Sequence, residues 1–174
     1  MSTTSPRQIV CDTGPLISLE KITGGYRFIE RLYDQLIVPP AVMDELVAGQ
    51  FETEDAYLRH FHVEDLIVAK RLVARSSTGE IEDKTKHLDK GEREAIRLAG
   101  EMEVSLLIEE EAGRRVARDL GLHISGIAGQ ILKAVREEAI SVDEASSKLA
   151  ELRRAGRINR QIYEAVGTAI KNEV

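Results

Sequence analysis

Residues 8–17 read Gln8-Ile9-Val10-Cys11-Asp12-Thr13-Gly14-Pro15-Leu16-Ile17. A short apolar run, Ile9-Val10-Cys11, stops on a carboxylate, and Gly14-Pro15 turns the chain. Leu16, Ile17, Leu19 and Ile22 then fall at helical spacing. A buried strand, an acid, a turn and a helix in that order open a βα unit.

The same grammar recurs downstream. Gly24-Gly25 breaks the first helix, and Phe28, Ile29, Leu32 and Tyr33 predict another over 26–35. Leu36-Ile37-Val38 is a second apolar strand, ended by Pro39-Pro40. Proline suits the first turn of a helix, and the one starting here runs to about Gly49, with Val42, Met43, Leu46 and Val47 inside. Residues 52–74 read as helix, although 61–69 reads equally well as extended. The Ser-Ser-Thr-Gly and charge run of 75–87 reads as loop. Residues 89–103 are a helix, 104–108 a third strand, 110–120 a helix ended by Gly121, and 122–124 a fourth strand. Helices over 127–138, 142–155 and 158–172 close the chain.

Alternating short strands and helices predict an α/β fold: a central, mainly parallel sheet of four or five strands flanked by helices. Without repeat or linker, residues 1–174 read as one domain, a core over 7–140 with a C-terminal helical appendage over 141–174. Leu149, Leu152, Ile158, Ile162 and Val166 in that appendage read as packing residues, or alternatively as a partner or dimer surface.

Composition narrows the functional classes. Of 174 residues, 43% are apolar and 31% charged, as in globular proteins. No apolar stretch approaches the roughly 18 residues of a membrane span, and the polar start, Met1 to Gln8, lacks a signal-peptide core. Cys11 is the only cysteine, which fits a reducing compartment, so a cytoplasmic location is expected. The net charge of −6 argues against a protein that coats nucleic acid generally. An acidic enzyme with a local basic rim is still allowed, because phosphate binding needs positive charge only where the strand passes.

In open α/β sheets, sites form at the carboxyl ends of strands, and acids recur there. Asp12 ends the first strand, Glu45 lies on the helix after the second, Glu92 near the start of the 89–103 helix, and Glu109, Glu110 and Glu111 follow the third strand. Carboxylates sharing one edge repel and raise each other's pKa values unless a cation neutralises them. Oxygen-only ligands suit Mg²⁺ or Mn²⁺. Each acid also has a purely structural reading. Asp12 could start a turn, Glu45 could be a solvated helix position, Glu92 could form a capping box with Asp89, and 109–111 could complement a helix dipole. His60 and His62 lack a third histidine or cysteine cluster, and there is no P-loop or nucleophile elbow. A phosphoaspartate phosphatase needs a second Asp where Gly14 stands.

Taken in order, several motifs resemble a prokaryotic PIN-domain subfamily related to VapC-like toxins. They are Asp12-Thr13-Gly14-Pro15-Leu16-Ile17, Val38-Pro39-Pro40-Ala41-Val42 with Asp44-Glu45-Leu46, and Leu88-Asp89-Lys90-Gly91-Glu92. Arg114-Arg115-Val116-Ala117 and Ser125-Gly126-Ile127-Ala128-Gly129 complete the set, so the likeness spans roughly residues 8–140. The resemblance implies a PIN-like three-layer fold and a metal-dependent ribonuclease, with Asp12, Glu45, Glu92 and one of Glu109 and Glu110 as its acids. Asp12, Glu92 and Glu109 or Glu110 would hold Mg²⁺ or Mn²⁺, with Glu45 orienting the water or binding a second metal. Thr13 and Ser125 would support those acids or a phosphate, and Lys90, Arg93 and Arg114 would contact phosphate. Implied partners are RNA, an antitoxin protein and a second copy of the chain. The family's last acid is usually Asp, whereas positions 109 and 110 are both Glu. That departure keeps a second hypothesis open, a PIN-fold regulatory protein that binds nucleic acid or protein with weakened catalysis.

Overall fold

Strand β1 (Gln8–Cys11) sits at the centre of a five-stranded sheet in the computed structural model, which describes residues 4–73 and 79–174. The other strands are β2 (Gln35–Val38), β3 (Ile67–Ala69), β4 (Leu106–Leu107) and β5 (Ile124–Ser125). Their order is β3-β2-β1-β4-β5, and every pairing is parallel. Val10 stands opposite Ile37 on one side and Leu106 on the other. The chain therefore winds outward from β1 to β3, then returns to β1's free edge and winds the other way. The order reverses between β1 and β4, which is where ligands bind in doubly wound sheets.

Strand alternation builds two cores. Ile9, Cys11, Leu36, Val38 and Leu107 face one apolar cluster. Helices α1 (Thr13–Glu20), α2 (Gly25–Ile29), α3 (Pro40–Val47), α4 (Glu54–Phe61) and α8 (Ile127–Arg136) contribute Leu16, Phe28, Val42, Tyr57 and Ile131 to it. Val10, Ile37, Leu106 and Ile108 face the other cluster, covered by α6 (Lys90–Met102) and α7 (Glu111–Asp119) through Ile96, Leu98 and Val116. Period-2 side-chain direction divides the apolar residues of each strand between the two faces. The result is the expected three-layer α/β fold.

The C-terminal helices pack on the central core. Ala145, Leu149 and Leu152 of α9 (Val142–Arg154) and Ile170 of α10 (Arg160–Lys171) are buried in the same cluster as β1. Lys148, buried with them, donates from Nζ to the Thr23 carbonyl at 2.6 Å, and Glu151 accepts the Thr23 amide at 2.7 Å. Ile162 and Tyr163 of α10 are exposed.

Several boundaries differ from the sequence expectation for identifiable reasons. Residues 75–78 of the expected 75–87 loop lie outside the described residues, but Gly79–Thr85 forms a helix, α5. Glu, Asp and Lys can build a helix there, and buried Thr85 donates its hydroxyl back to the Ile81 carbonyl at 2.8 Å. The ambiguous stretch after residue 52 is both things in turn, α4 and then β3. The helix expected over 26–35 stops at Ile29, because Gln35 is already paired with Gln8. The last strand starts at Ile124, since Leu122 is used to end α7: its amide donates to the Ala117 carbonyl at 3.0 Å, and Gly121 takes the left-handed φ of +77°.

Candidate active site

Asp12 follows β1 at the reversal point, and its amide donates to the Leu107 carbonyl of β4 at 3.0 Å. Strand alternation sends its side chain to the α6–α7 face, the side of Val10 and Ile108. The residue is only 5% exposed, and its Oδ1 is buried without a hydrogen-bond partner. Burial pushes its pKa up to about 7, opposed by the Thr13 amide and reinforced by Glu92, Asp89 and Glu45.

Glu92 meets it from the first turn of α6, where the capping-box reading is also realised. Asp89 Oδ1 accepts the Glu92 amide at 2.8 Å, and Glu92 Oε2 accepts the Asp89 amide at 3.4 Å. The remaining oxygen, Oε1, is buried and without a partner. Burial raises the Glu92 pKa first of all, then Asp89, partly offset by the amide bond from Asp89, with Glu110 and Glu45 adding to the rise. Gly113 leaves the space this carboxylate needs: a Cβ there would lie 3.0 Å from Glu92 Oε1 and 2.5 Å from Ile108 Cδ1.

Glu45 comes from the exposed side of α3. Its Oε2 accepts the Thr13 hydroxyl, and its Oε1 lies over Gly91, where a Cβ would be 2.5 Å away. Thr13 thus supports an acid, and Gly91 lets α3 and α6 bring their acids close. Asp12, Glu45, Glu92 and Glu110 belong to one electrostatic group, with Asp89 as a further member that the sequence reading treated only as a cap.

Glu109 and Glu110 part company. Leu107 faces the α1–α8 core and Ile108 the α6–α7 core, so Glu109 returns to the α1–α8 side. Its Oε2 accepts Ser18 Oγ at 2.7 Å and Arg157 Nη2 at 3.3 Å, and its Oε1 accepts the Ile127 amide at 3.1 Å. Glu110, exposed at the N-cap of α7, is the one whose charge reaches Glu92. Ser18 and Arg157 carried no motif, because they sit 91 and 139 residues from the partners they bind, Glu109 and Ser18 respectively.

The remaining candidates are spread around this rim. Ser125 donates to the Gly126 carbonyl at 3.0 Å. Half-buried Arg114 donates from Nη1 to the Ile108 carbonyl at 2.8 Å, so one of its nitrogens braces the turn, and burial lowers its pKa. Lys90 is exposed and Arg93 half-buried on the first turns of α6.

Among the described residues, no three His, Cys, Asp or Glu side chains form a group that could hold a metal ion. The donors present nonetheless match a hard cation. Asp12 and Glu92 each offer a buried, partnerless carboxylate oxygen, and Mg²⁺ is ordinarily bound through one or two carboxylates, with water and substrate phosphate completing its shell.

No curated protein matches the chain. A family model described as a PIN domain matches residues 8–172, which takes in the sheet, the acids and the C-terminal helices together. With its all-parallel sheet, flanking helices and acids at the switch point, the chain belongs to the PIN-domain family and has that family's nuclease-type fold.

Proposed function

We propose that the protein is a metal-dependent endoribonuclease that hydrolyses phosphodiester bonds at the cluster around Asp12 and Glu92. One observation carries this reading: two buried carboxylate oxygens, Asp12 Oδ1 and Glu92 Oε1, stand unpartnered at the sheet's switch point. An ionised carboxyl buried without a partner is costly, and proteins keep such groups for a ligand. The Asp12 and Glu92 oxygens would hold Mg²⁺ or Mn²⁺, with Glu45 and Glu110 at the rim. When bound, the ion supplies charge neutralisation at the scissile phosphate and activates water for in-line attack.

The chain's own residues do the rest. Thr13 holds the Glu45 carboxylate, which orients the attacking water. The capping box fixes Glu92 by one oxygen so that the other faces inward. Of the two adjacent acids, Glu110 belongs to the metal side, because both Glu109 oxygens are engaged elsewhere. Lys90 and Arg93 stand on the same helix start as Glu92 and would take the phosphates flanking the scissile one. A toxin role with an antitoxin partner, or a homodimer, would use the exposed Ile162–Tyr163 face of α10. No described helix is long and apolar enough to cross a membrane, and one buried free cysteine suits the cytoplasm.

A second reading, a regulatory PIN-fold protein with weakened catalysis, is favoured by glutamate at both 109 and 110. The longer side chain shifts the carboxylate by a carbon–carbon bond, and Mg²⁺ is strict about octahedral geometry. Cleavage of single-stranded RNA separates the readings. The nuclease cleaves with Mn²⁺ or Mg²⁺, stops with EDTA, and is silenced by Asp12→Asn, which removes charge without volume. RNA binding without cleavage under any divalent metal establishes the regulatory reading instead.

A further inference from the structure

Arg157 lies in the connection between α9 and α10, yet its guanidinium reaches both α1 and the turn between β4 and α7. Nε donates to Ser18 Oγ at 2.9 Å, and Nη2 donates to the Gly14 carbonyl at 3.0 Å and to Glu109 Oε2 at 3.3 Å. Ser18 is wholly buried and donates to that same Glu109 oxygen, while the other Glu109 oxygen accepts the first amide of α8. Gly14 follows Asp12 by one intervening residue, and Glu110 is next to Glu109. One planar cation therefore ties α1, whose N-cap is Asp12, to the turn that carries Glu110. Charge-assisted bonds from a rigid guanidinium fork suit such a task, and lysine cannot make all of them at once.

We propose that Arg157 is a positioning residue for the candidate site: it latches α1, capped by Asp12, to the β4–α7 turn through Glu109, so that Asp12 and Glu110 face the same space. The inference rests on the nuclease reading for its kinetic consequence, but the latch itself is independent of it. Its half-buried partner, Glu109, would be left as an unmatched anion without Arg157, and the turn would move to rehydrate it. A displacement of about 1 Å at reacting groups can cost roughly 100-fold in rate.

The test uses the full chain as wild type, Arg157→Ala, Arg157→Lys and Ser18→Ala. Steady-state RNA cleavage with Mn²⁺ is measured alongside amide hydrogen exchange of the metal-free protein. Arg157→Ala should lower kcat about tenfold or more, with KM within about twofold and an unchanged salt dependence. Arg157→Lys should recover part of the loss. The Ile127 amide, which donates to Glu109, and the Arg114 amide, which donates to the Glu110 carbonyl, should exchange faster, while the Val10 amide in the sheet should not. A raised KM at unchanged kcat, with the salt slope reduced by about one, would show a phosphate contact and overturn the latch. Unchanged kinetics and exchange would overturn it as well. If wild type cleaves no RNA, the nuclease reading falls, and exchange alone then decides: faster at Ile127 and Arg114 upholds the latch, unchanged rejects it. Should Arg157→Ala not fold, Ser18→Ala and Arg157→Lys carry the same comparison.

Discussion

Glu92 divides its carboxylate between two tasks, giving Oε2 to the amide of Asp89 at 3.4 Å and leaving Oε1 buried without a partner. A helix cap and a free buried oxygen thus come from one side chain. The cap holds the rotamer, and the rotamer aims the free oxygen. Asp89 completes the arrangement by accepting the Glu92 amide at 2.8 Å, and its own charge favours the protonated forms of Glu92 and Asp12.

This makes Asp89 testable in both capacities. Asp89→Ala should destabilise the fold by about 1 kcal/mol through loss of the cap. Asp89→Asn keeps a capping oxygen and should cost little, yet it removes one negative charge from the cluster and should weaken Mn²⁺ binding. Denaturant titration and calorimetry together measure the two effects. Equal loss of stability in both variants would show that charge, not capping, is what Asp89 contributes.

The high pKa of Asp12 sets a pH dependence with a defined sign. The folded value of about 7 lies above the ordinary 3.8, so the native state holds a proton that the unfolded chain has released. Without metal, the Asp12 contribution to stability should therefore fall as pH rises from about 4 to about 7. Asp12→Asn should remove that slope and be more stable than wild type at pH 8. Divalent metal competes with the same proton, so wild-type Mn²⁺ affinity should rise across the upper part of that window. A metal-free stability curve with the same slope in both proteins would place the proton elsewhere.

Gly113 should tolerate no side chain. Its Cβ would press on Ile108 Cδ1 at 2.5 Å and Glu92 Oε1 at 3.0 Å, and such overpacking costs about 1–3 kcal/mol. Gly113→Ala should also weaken metal binding by pushing Glu92 aside. Gly100→Ala, on the same layer but with its nearest outside atom 4.0 Å away, should instead stabilise α6 by about 0.5–1 kcal/mol. Thermal melts of the pair check both signs, and a neutral Gly113→Ala would mean that α7 can shift away from Glu92.

The C-terminal helices should behave as part of the core. Leu152 is wholly buried, so Leu152→Ala should cost about 2–5 kcal/mol. Ile162 is 41% exposed, and Ile162→Ala should stay within about 0.5 kcal/mol while remaining free to affect any partner bound on α10. Comparable losses at both positions would mean that α10 packs more closely than its exposure implies.

Much was legible in the sequence because it depends on neighbours along the chain. Ile9-Val10-Cys11 ending in Asp12 announces a buried strand with an acid at its tip, Pro39-Pro40 announces a helix start, and Asp89-x-x-Glu92 announces a capping box. Each is a local pattern with a period or a fixed offset, so local physics suffices to read it. Whether 79–85 forms helix or loop, and where helix yields to β3, depended on packing against distant elements instead.

The order of residues alone showed that acids follow the apolar strands of an α/β sheet, because Asp12 and Glu109 to Glu111 come directly after short apolar runs. How they are shared out depended on the folded chain. Adjacent residues beyond a strand point to opposite faces, so Glu109 and Glu110 were equivalent as letters until each face had an identity. One face turned out to hold Glu92, the other Ser18 and Arg157. Arg157 reaches Gly14 across 143 residues of chain, and no local rule links positions so far apart. They meet because the last helices bury their apolar sides on the same core as β1, which brings that guanidinium to α1 beside Asp12.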